Sequence, residues 1–363
     1  MSSELPTVSI VVSAYQNIGY LPATIESILQ QTYDNFEIII FSDDYHQIYP
    51  WFKRSPDCRL RFVLQSNLGL ATTLNQGILE ARGKYISLIE PGDLWHPSKL
   101  QKQIFCLDRY PQVDLIHSPS VSISRHPSAL DAEPAIDTNR GKCSSIGDWN
   151  LEILAHNQLV FASVMLRRSC FEKVGLFDPE LQMTPDWEMW IRLSHHSEFI
   201  ALAEPLVYCR QLQENWRGSC LKVETDLQIT IEKAYALLPE DREKHKHRSY
   251  GYASLYLAKH MLQQKNPDPA IAHNYWYQAL EHDPLIVFSV EFCQLRWIIF
   301  NLYCLQSDRY RHLEQLFQVT SDLLKVFIHA IKEHSQKIVN WMLEEEDSVN
   351  FWKNRKVKQQ GKD

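Results

Sequence analysis

The sequence lacks several features that would at once assign a protein to a class. Its eight cysteines are scattered and contain no C-x-x-C pair, which argues against a disulfide or zinc framework and favours reduced thiols in a cytoplasmic protein. Cations are not in excess, and the net charge of −7 argues against a nucleic-acid partner. The sequence has no G-x-G-x-x-G and no G-x-x-x-x-G-K-[ST] motif, which excludes the usual dinucleotide and P-loop sites.

Long apolar runs are missing as well. Met1–Thr7 is polar, and no run of about 18 uncharged apolar residues follows, so that neither a signal segment nor a membrane span is predicted. The composition, 45% hydrophobic and 22% charged, is that of a globular protein, and 363 residues are too many for one small core. We therefore expect a cytoplasmic protein with two domains.

The first half of the chain alternates short apolar runs with segments of helical periodicity. The runs that predict buried strands are Val8–Ser13, Phe36–Phe41, Arg61–Leu64, Tyr85–Ile89, Asp114–His117 and Phe161–Arg167. Apolar residues three or four positions apart predict a helix after the first of these strands, another from about Ala71 to Ala81, and a third after Tyr85–Ile89, where Leu100, Ile104 and Leu107 follow. This alternation is typical of an α/β protein with a mostly parallel, doubly wound (Rossmann-like) sheet and flanking helices.

Segments that carry polar residues follow the predicted strands at the points where the strands end. They are Ser13-Ala14-Tyr15, Asp43-Asp44, Asn67, and Glu90 with Asp93. Because the carboxyl ends of parallel strands meet at one edge of a sheet, we expect these segments to line one crevice. An acidic crevice suits a hydroxyl-rich ligand or a bound cation. Solvated turn residues are the alternative explanation.

A further acid, Asp186, lies in the first turn of a predicted helix. Thr184 is expected to be the N-cap and Pro185 the first helical residue. The helix dipole at this position favours the ionised form of the carboxyl group. Capping of the helix is the alternative role of Asp186.

From about residue 221 the pattern is helical. The predicted helices are Leu221–Leu238, Ser249–Gln264, Pro269–His282, Pro284–Leu305 and Val319–His334. A plain helical bundle is expected, because only one hairpin faintly resembles a tetratricopeptide unit. We expect Pro284–Leu305 to be core, with a membrane-surface helix as the alternative. The predicted domains are therefore 1–220, 221–345 and a charged tail, 346–363, which is either solvated or in peripheral contact with anionic lipid at the inner membrane face.

Several segments occur together in one order. They are V-S-I-V-V-S-A-Y-Q-N, F-E-I-I-I-F-S-D-D, N-L-G-L-A-T-T-L-N-Q-G-I, A-R-G-K-Y-I-S-L-I-E-P-G-D, V-G-L-F-D-P-E and P-D-W-E-M-W-I-R-L. In this order and with these gaps, the chain from Val8 to Ser219 resembles the family 2 glycosyltransferases, which have the GT-A fold.

The resemblance implies transfer of a sugar from a nucleotide-sugar donor, most often a UDP-sugar, to a hydroxyl group of a glycan or lipid-linked glycan, with inversion. It also implies that Asp186 is the general base, that Asp43 contacts the nucleotide base, and that Ser13–Tyr15 line the same pocket. The predicted donor-site residues are Ser13, Ala14, Tyr15, Asp43, Asn67, Asn75, Glu90, Asp93, Arg210 and Arg217.

Two departures from the family pattern concern the divalent metal. Gly92 stands where the family usually has the aspartate that binds the metal, and Leu212 stands where a histidine often follows. If Mg²⁺ or Mn²⁺ binds, we expect it to be held weakly, through Glu90 or Asp93.

The leaving diphosphate needs its charge offset whether or not a metal is bound. Without a metal, Arg210 and Arg217 would do this. The same departures leave a rival function open, in which the domain binds a nucleotide or glycan without turnover and acts as an interaction protein. A nucleotidyltransferase is disfavoured, because no glycine-rich phosphate loop occurs near the N-terminus.

Overall fold

The computed structural model describes residues 5–54, 57–66, 68–123, 143–147, 150–210, 220–236, 245–264 and 267–306. Within these ranges the chain forms a mixed α/β part followed by a helical part, as the sequence predicts. Several predicted features lie outside the described residues: Asn67, Leu212, Arg217, the helix at 319–334 and the tail at 346–363. The division of the chain at residue 220 stays a prediction.

The strands of the α/β part form a large sheet and a small one. In chain order they are β1 (Val8–Ser13), β2 (Phe36–Ser42), β3 (Leu60–Leu64), β4 (Tyr85–Ile89), β5 (Leu94–Trp95), β6 (Val113–His117), β7 (Ser120–Ile123), β8 (Cys143–Gly147), β9 (Met165–Arg167), β10 (Glu198–Leu202) and β11 (Val207–Arg210). Within the described ranges, the large sheet has eight strands in the order β3-β2-β1-β4-β9-β6-β10-β8. β8 and β9 run antiparallel to their neighbours and the other pairs are parallel, which confirms a mostly parallel sheet.

The small sheet has the order β5-β11-β7. β11 pairs antiparallel with β5, opposing Tyr208 to Leu94, and parallel with β7, opposing Arg210 to Ile123. This pairing places the end of β11 next to the turn that follows β4. The sequence analysis does not predict these short strands.

Helices cover both faces of the large sheet. In chain order they are α1 (Leu21–Leu29), α2 (Tyr45–Arg54), α3 (Leu70–Glu80), α4 (Lys99–Arg109), α5 (Asn150–Ala155), α6 (Cys170–Val174), α7 (Pro185–Ser194), α8 (Cys220–Ala236), α9 (Lys246–Gln263), α10 (Pro269–His282) and α11 (Val290–Gln306). Along β1, Ile10 belongs to the core that contains α1 and α4, whereas Val11 belongs to the core that contains α3 and α7. Burial on both faces explains why the strand sequences are continuously apolar.

The second of these cores continues into the helical part. Trp190 of α7, Val223 of α8 and Trp276 of α10 belong to one connected cluster of buried side chains. The helices α8–α11, which we call the helical unit, are thus packed directly on the α/β part. None of the described helices is both long and apolar enough to cross a bilayer.

Two predicted elements are broken in the structure. Phe161–Arg167 is not one strand, because Ser163 bonds back to the carbonyl of Val160 through its N–H (2.8 Å) and its hydroxyl (2.7 Å). This closes a 3-10 turn before β9. Pro284–Leu305 is divided into a 3-10 turn and α11, since Ser289 Oγ accepts from Phe292 N–H at the start of the second helix.

Candidate functional site

The sheet register places three of the predicted segments at one edge. Val12 of β1 is paired with Ile40 of β2 on one side and with Ile89 of β4 on the other, all three strands being parallel. Each of these strands ends within two residues of that row. Tyr15, Asp43 and Glu90 therefore follow the strands on the same side of the sheet, where ligands bind in open α/β sheets.

Tyr15 and Asp43 form the first part of the candidate site. The Tyr15 hydroxyl accepts a hydrogen bond from Thr73 Oγ1 of α3 (3.3 Å), and Asp43 is exposed. Burial raises the pKa of Tyr15, the bond from Thr73 lowers it, and the nearby charge of Asp43 raises it. Tyr15 is therefore a neutral phenol at physiological pH, and Asp43 offers carboxylate oxygens to a ligand.

Ser13 and Ala14 form the floor beneath that pair. Both residues are buried, and the Ala14 N–H donates to the carbonyl of Phe41 at 2.8 Å, which holds the ends of β1 and β2 together. Of the three predicted residues in this segment, Tyr15 is the one whose side chain is partly exposed.

The turn after β4 is fixed by a threonine that the sequence analysis missed. Thr24 Oγ1 of α1 accepts from the N–H of Gly92 (3.0 Å) and donates to the carbonyl of Asp93 (2.9 Å). Gly92 has φ = 120°, a conformation that side chains disfavour, so glycine suits this backbone better than the usual aspartate would. Glu90, at the mouth of the turn, is exposed.

Asp93 and Arg210, two of the predicted donor-site residues, are bonded to each other at this turn. The N–H of Arg210 donates to Asp93 Oδ1 (3.1 Å), and its Nε donates to the carbonyl of Gly92 (3.0 Å). The Arg210 guanidinium also lies over the Tyr20 ring, 4.9 Å from its centroid. Burial raises the pKa of Asp93 to about 6, against the bond and the charge of Arg210, which lower it.

The residues near this turn can be tested against the metal that the family pattern implies. Among the described residues, no group of three histidine, cysteine or acidic side chains could hold an ion. Glu90 and Asp93 supply two carboxylates at most. Mg²⁺ typically binds to one or two carboxylates together with substrate phosphates, so the pair fits an ion shared with a diphosphate and does not fit an ion held by protein alone.

Asp186 lies at the start of α7, in the second part of the candidate site. Its Oδ2 accepts from Nδ2 of Asn157 (2.8 Å), and Asn157 is exposed. Burial raises the pKa of Asp186, although Asn157 and backbone N–H groups at the helix start lower it. The backbone N–H groups at the helix start favour the ionised form of this carboxyl group, as the sequence predicts, but desolvation opposes them and gives the pKa its net upward shift.

Trp187 holds the helix that carries Asp186. Its ring is buried, and its Nε1 donates to the carbonyl of Ile153 in α5 at 2.7 Å. Thr184 occupies the N-cap position, as predicted, but makes no side-chain cap bond. Its hydroxyl is paired instead with that of Thr230 in α8, at 3.1 Å.

The direction of α7 relates Asp186 to the edge described above. Residues 195–197 connect the end of α7 to the start of β10, and β10 is parallel to β6. The carboxyl end of α7 therefore lies near the edge where the parallel strands begin. Because a helix that leads into a parallel strand usually runs opposite to it, we expect the amino end of α7, with Asp186, to extend toward the edge where the strands end.

Comparison with known proteins shows what most of this α/β part is similar to. The sequence model of glycosyl transferase family 2 matches residues 9–170. These residues, which we call the family 2 domain, resemble the members of that family. An uncharacterized glycosyltransferase of Rickettsia prowazekii is 28% identical over 207 residues, or 56% of this chain and 64% of that protein. One of Methanocaldococcus jannaschii is 27% identical over 194 residues, or 52% of this chain and 64% of that protein. The chain thus spans less than two thirds of either relative.

A solved structure shows the same fold. The mannosyltransferase PcManGT of Pyrobaculum calidifontis, in complex with GDP-Man and Mn²⁺, matches 90% of this chain and 87% of its own, with a TM-score of 0.50 and 16% identity. The family 2 domain accordingly has the predicted GT-A fold. The roles predicted for the candidate site residues stay predictions, and Asp186 and Arg210 also lie beyond the matched residues.

Asn75 has a structural contact with a residue just beyond the family 2 domain. Its amide donates to the carbonyl of Phe177 and accepts from the Phe177 N–H, both at 2.8 Å. Its role as a donor ligand stays a prediction, and its second amide N–H and second oxygen lone pair would have to serve it. Asn157, which the sequence analysis missed, lies in an irregular segment where no periodicity or motif could have marked it.

Proposed function

We propose that this protein transfers a hexosyl group from a nucleotide-sugar, a UDP-sugar first among the candidates, to an acceptor hydroxyl with inversion, and that Asp186 is the general base. The observation that carries this proposal is the Asp186 carboxyl group at the amino end of α7, bonded by the exposed Asn157. Its raised pKa makes it a stronger base than an ordinary aspartate, and the family 2 domain supplies the reaction class.

In the proposed reaction, the acceptor hydroxyl gives its proton to the Asp186 carboxylate as its oxygen forms a bond to the anomeric carbon. The bond from that carbon to the diphosphate oxygen breaks, and its electron pair leaves with the nucleoside diphosphate. Attack from the side opposite the leaving group inverts the configuration. The proton passes from Asp186 to solvent afterwards.

The donor is proposed to lie along the edge formed by the ends of β1, β2 and β4. Asp43 and Tyr15 would hold the nucleotide, and Glu90, Asp93 and Arg210 would lie by the diphosphate. An acceptor hydroxyl, of a glycan or a lipid-linked glycan, would approach from the side of α7. Peripheral docking at a membrane face would suit a lipid-linked acceptor.

A divalent ion bound by Glu90 and Asp93 would offset charge on the leaving diphosphate. Arg210 offers a fixed charge at the same turn, since its guanidinium is bonded to the Gly92 carbonyl. We therefore propose that Arg210 carries part of the charge compensation that the missing carboxylate at position 92 would otherwise supply through a metal.

A panel of donors tests this assignment. UDP-, dTDP- and GDP-sugars are added with Mn²⁺ or with EDTA, and both the melting temperature and the release of nucleoside diphosphate are measured. A bound donor raises the melting temperature, and we expect turnover to fall in EDTA without disappearing. Complete loss in EDTA would refute charge compensation by Arg210. A thermal shift with no turnover under any condition would favour the non-catalytic interaction protein.

A second prediction concerns the pH profile. Asn157→Ala removes the side-chain bond that favours the ionised form of Asp186, so the pKa of Asp186 rises further. Because the base works only when ionised, the acid limb of kcat/KM should move to higher pH. The exposed neighbour Gln158 provides the control, and Gln158→Ala should leave the limb in place. If the acid limb of kcat/KM does not move in Asn157→Ala, Asn157 does not influence the group whose titration the limb reports.

A further inference from the structure

The helix α8 carries two polar side chains on its buried face, Asp226 and Thr230. Asp226 Oδ2 accepts from the N–H groups of Gln182 (2.7 Å) and Met183 (2.6 Å), the two residues before the N-cap of α7. Thr230 is paired with that N-cap residue, Thr184, at 3.1 Å. The helical unit therefore holds three consecutive residues that lead into the turn of Asp186.

The next helix, α9, contacts the segment that precedes Asn157, the residue bonded to Asp186. Ser249 is buried, and its Oγ donates to the carbonyl of Leu154 in α5 at 2.7 Å. The ring of Tyr252 is stacked on that of His156, with centroids 4.4 Å apart. These contacts hold the segment that ends at Asn157.

The contacts of α8 and α9 lie close to Asp186 and Asn157, the two residues whose position the proposed reaction depends on. Those of α8 lie within four residues of Asp186, and those of α9 lie within three residues of Asn157. A buried carboxylate that accepts two backbone N–H groups makes strong, charge-assisted bonds. By comparison, Lys233 of α8 is paired with Asp178 and with Glu180, but its own side chain is 40% exposed, so that solvent screens both ion pairs and they contribute less. An interface that served only to join two domains would not need its strongest bonds at these positions.

We propose that the helical unit positions the general base, with Asp226 and Thr230 setting the start of α7 and with Ser249 and Tyr252 setting Asn157. The inference rests on the proposed role of Asp186. It makes Asp226 a positioning residue that acts without touching the substrate, and it gives the helical unit a part in the transfer step.

Substitution of Asp226 in the full chain provides the test. Asp226→Ala should lower kcat by roughly 10- to 100-fold, because small misplacements of a reacting group have effects of this size, and should leave the KM for the donor within about twofold, since the strand-end edge is not disturbed. One oxygen of Asp226 receives both N–H groups, so the amide oxygen of Asp226→Asn can take its place, and this variant should keep most of the activity.

A matched control separates positioning from stability. Asp268 accepts from the N–H groups of Ala270 (3.0 Å) and Ile271 (3.1 Å) at the start of α10, which are bonds of the same kind within the same unit. Asp268→Ala should lower the melting temperature and leave kcat unchanged. If Asp226→Ala behaves like Asp268→Ala, with a lower melting temperature and full kcat, the inference is overturned.

Hydrogen exchange of the segment 181–190 gives a readout that does not depend on activity. It should become faster in Asp226→Ala but not in Asp268→Ala, and equal rates would overturn the inference. Wild-type protein without turnover on any donor would end the proposed function, whereas the exchange result would still decide whether Asp226 holds the start of α7. If Asp226→Ala does not fold, Thr230→Val takes its place in both measurements.

Discussion

Asp186→Asn is expected to reduce sugar transfer by about 10²–10⁴-fold, the range for loss of a positioned general base. Asparagine has nearly the same shape as aspartate, and its amide oxygen can still accept the Asn157 bond, but it cannot take a proton from the acceptor. The rate of nucleoside diphosphate release in the presence of acceptor measures the loss. Donor binding, followed by thermal shift, should be unchanged, because Asp186 faces the acceptor in the proposed reaction.

The control is the second acid in the same helical turn. Glu188 is buried and paired with Arg192, with Nε at 2.5 Å from Oε1. Glu188→Gln removes a carboxylate two residues from Asp186 and should lower the melting temperature while keeping kcat. Retention of more than a tenth of wild-type kcat in Asp186→Asn would show that another group accepts the proton, and the mechanism would then lose its base.

The parts of the fold that could be predicted from sequence are those in which one physical signal dominates. β1 and β4 have the predicted bounds, because a strand buried on both faces must be apolar throughout. α10 also has its predicted bounds, since Asp268 accepts from two N–H groups at its start and Pro269 follows at the first position. In these elements, local chemistry and burial favour the same structure.

The parts that could not be predicted depend on contacts between distant segments. β5, β7 and β11 are short, and they are defined by their pairing in the small sheet. Phe161–Arg167 has an apolar sequence suited to a strand, yet local bonds of Ser163 close a turn within it. Strand propensity describes a suitable surface, and only the partner strands decide whether it is used.

The candidate site divides in the same way. The carboxylates at the strand ends and at the start of α7 were predictable, because topology fixes where those positions lie. Asn157 and Thr24 were not, since their roles exist only through contact with a remote segment. Asp226 could have been noticed in the sequence, because it lies three residues after Val223 and one before Leu227. This spacing places a carboxylate on the apolar, buried face of α8.

The effects of Asp93→Asn on stability and on activity should have opposite signs. Burial raises the pKa of Asp93 to about 6, above its value in the unfolded chain, so this group's contribution to stability is full below the unfolded pKa and is lost as the pH rises through 6. At pH 7.5 the fold therefore carries a disfavoured buried charge, equivalent to at most about 3 kcal/mol for a shift of about two pKa units. The asparagine is neutral, and its oxygen can still accept the Arg210 N–H.

We therefore expect Asp93→Asn to raise the melting temperature at pH 7.5 and to raise it less at pH 4.5. The same variant should lower transfer by roughly 10- to 100-fold, which is the effect of removing a group that tunes a reaction centre. Asp114 is the matched control: it is also buried, but it is paired with Lys173 (2.7 Å) and with the Ser197 hydroxyl (2.7 Å). Asp114→Asn should lower the melting temperature at pH 7.5, because it breaks the buried ion pair with Lys173. If Asp93→Asn is more stable than the wild type and transfers sugar at the same rate, the Asp93 carboxylate has no role in the reaction. The turn after β4 would then not belong to the mechanism.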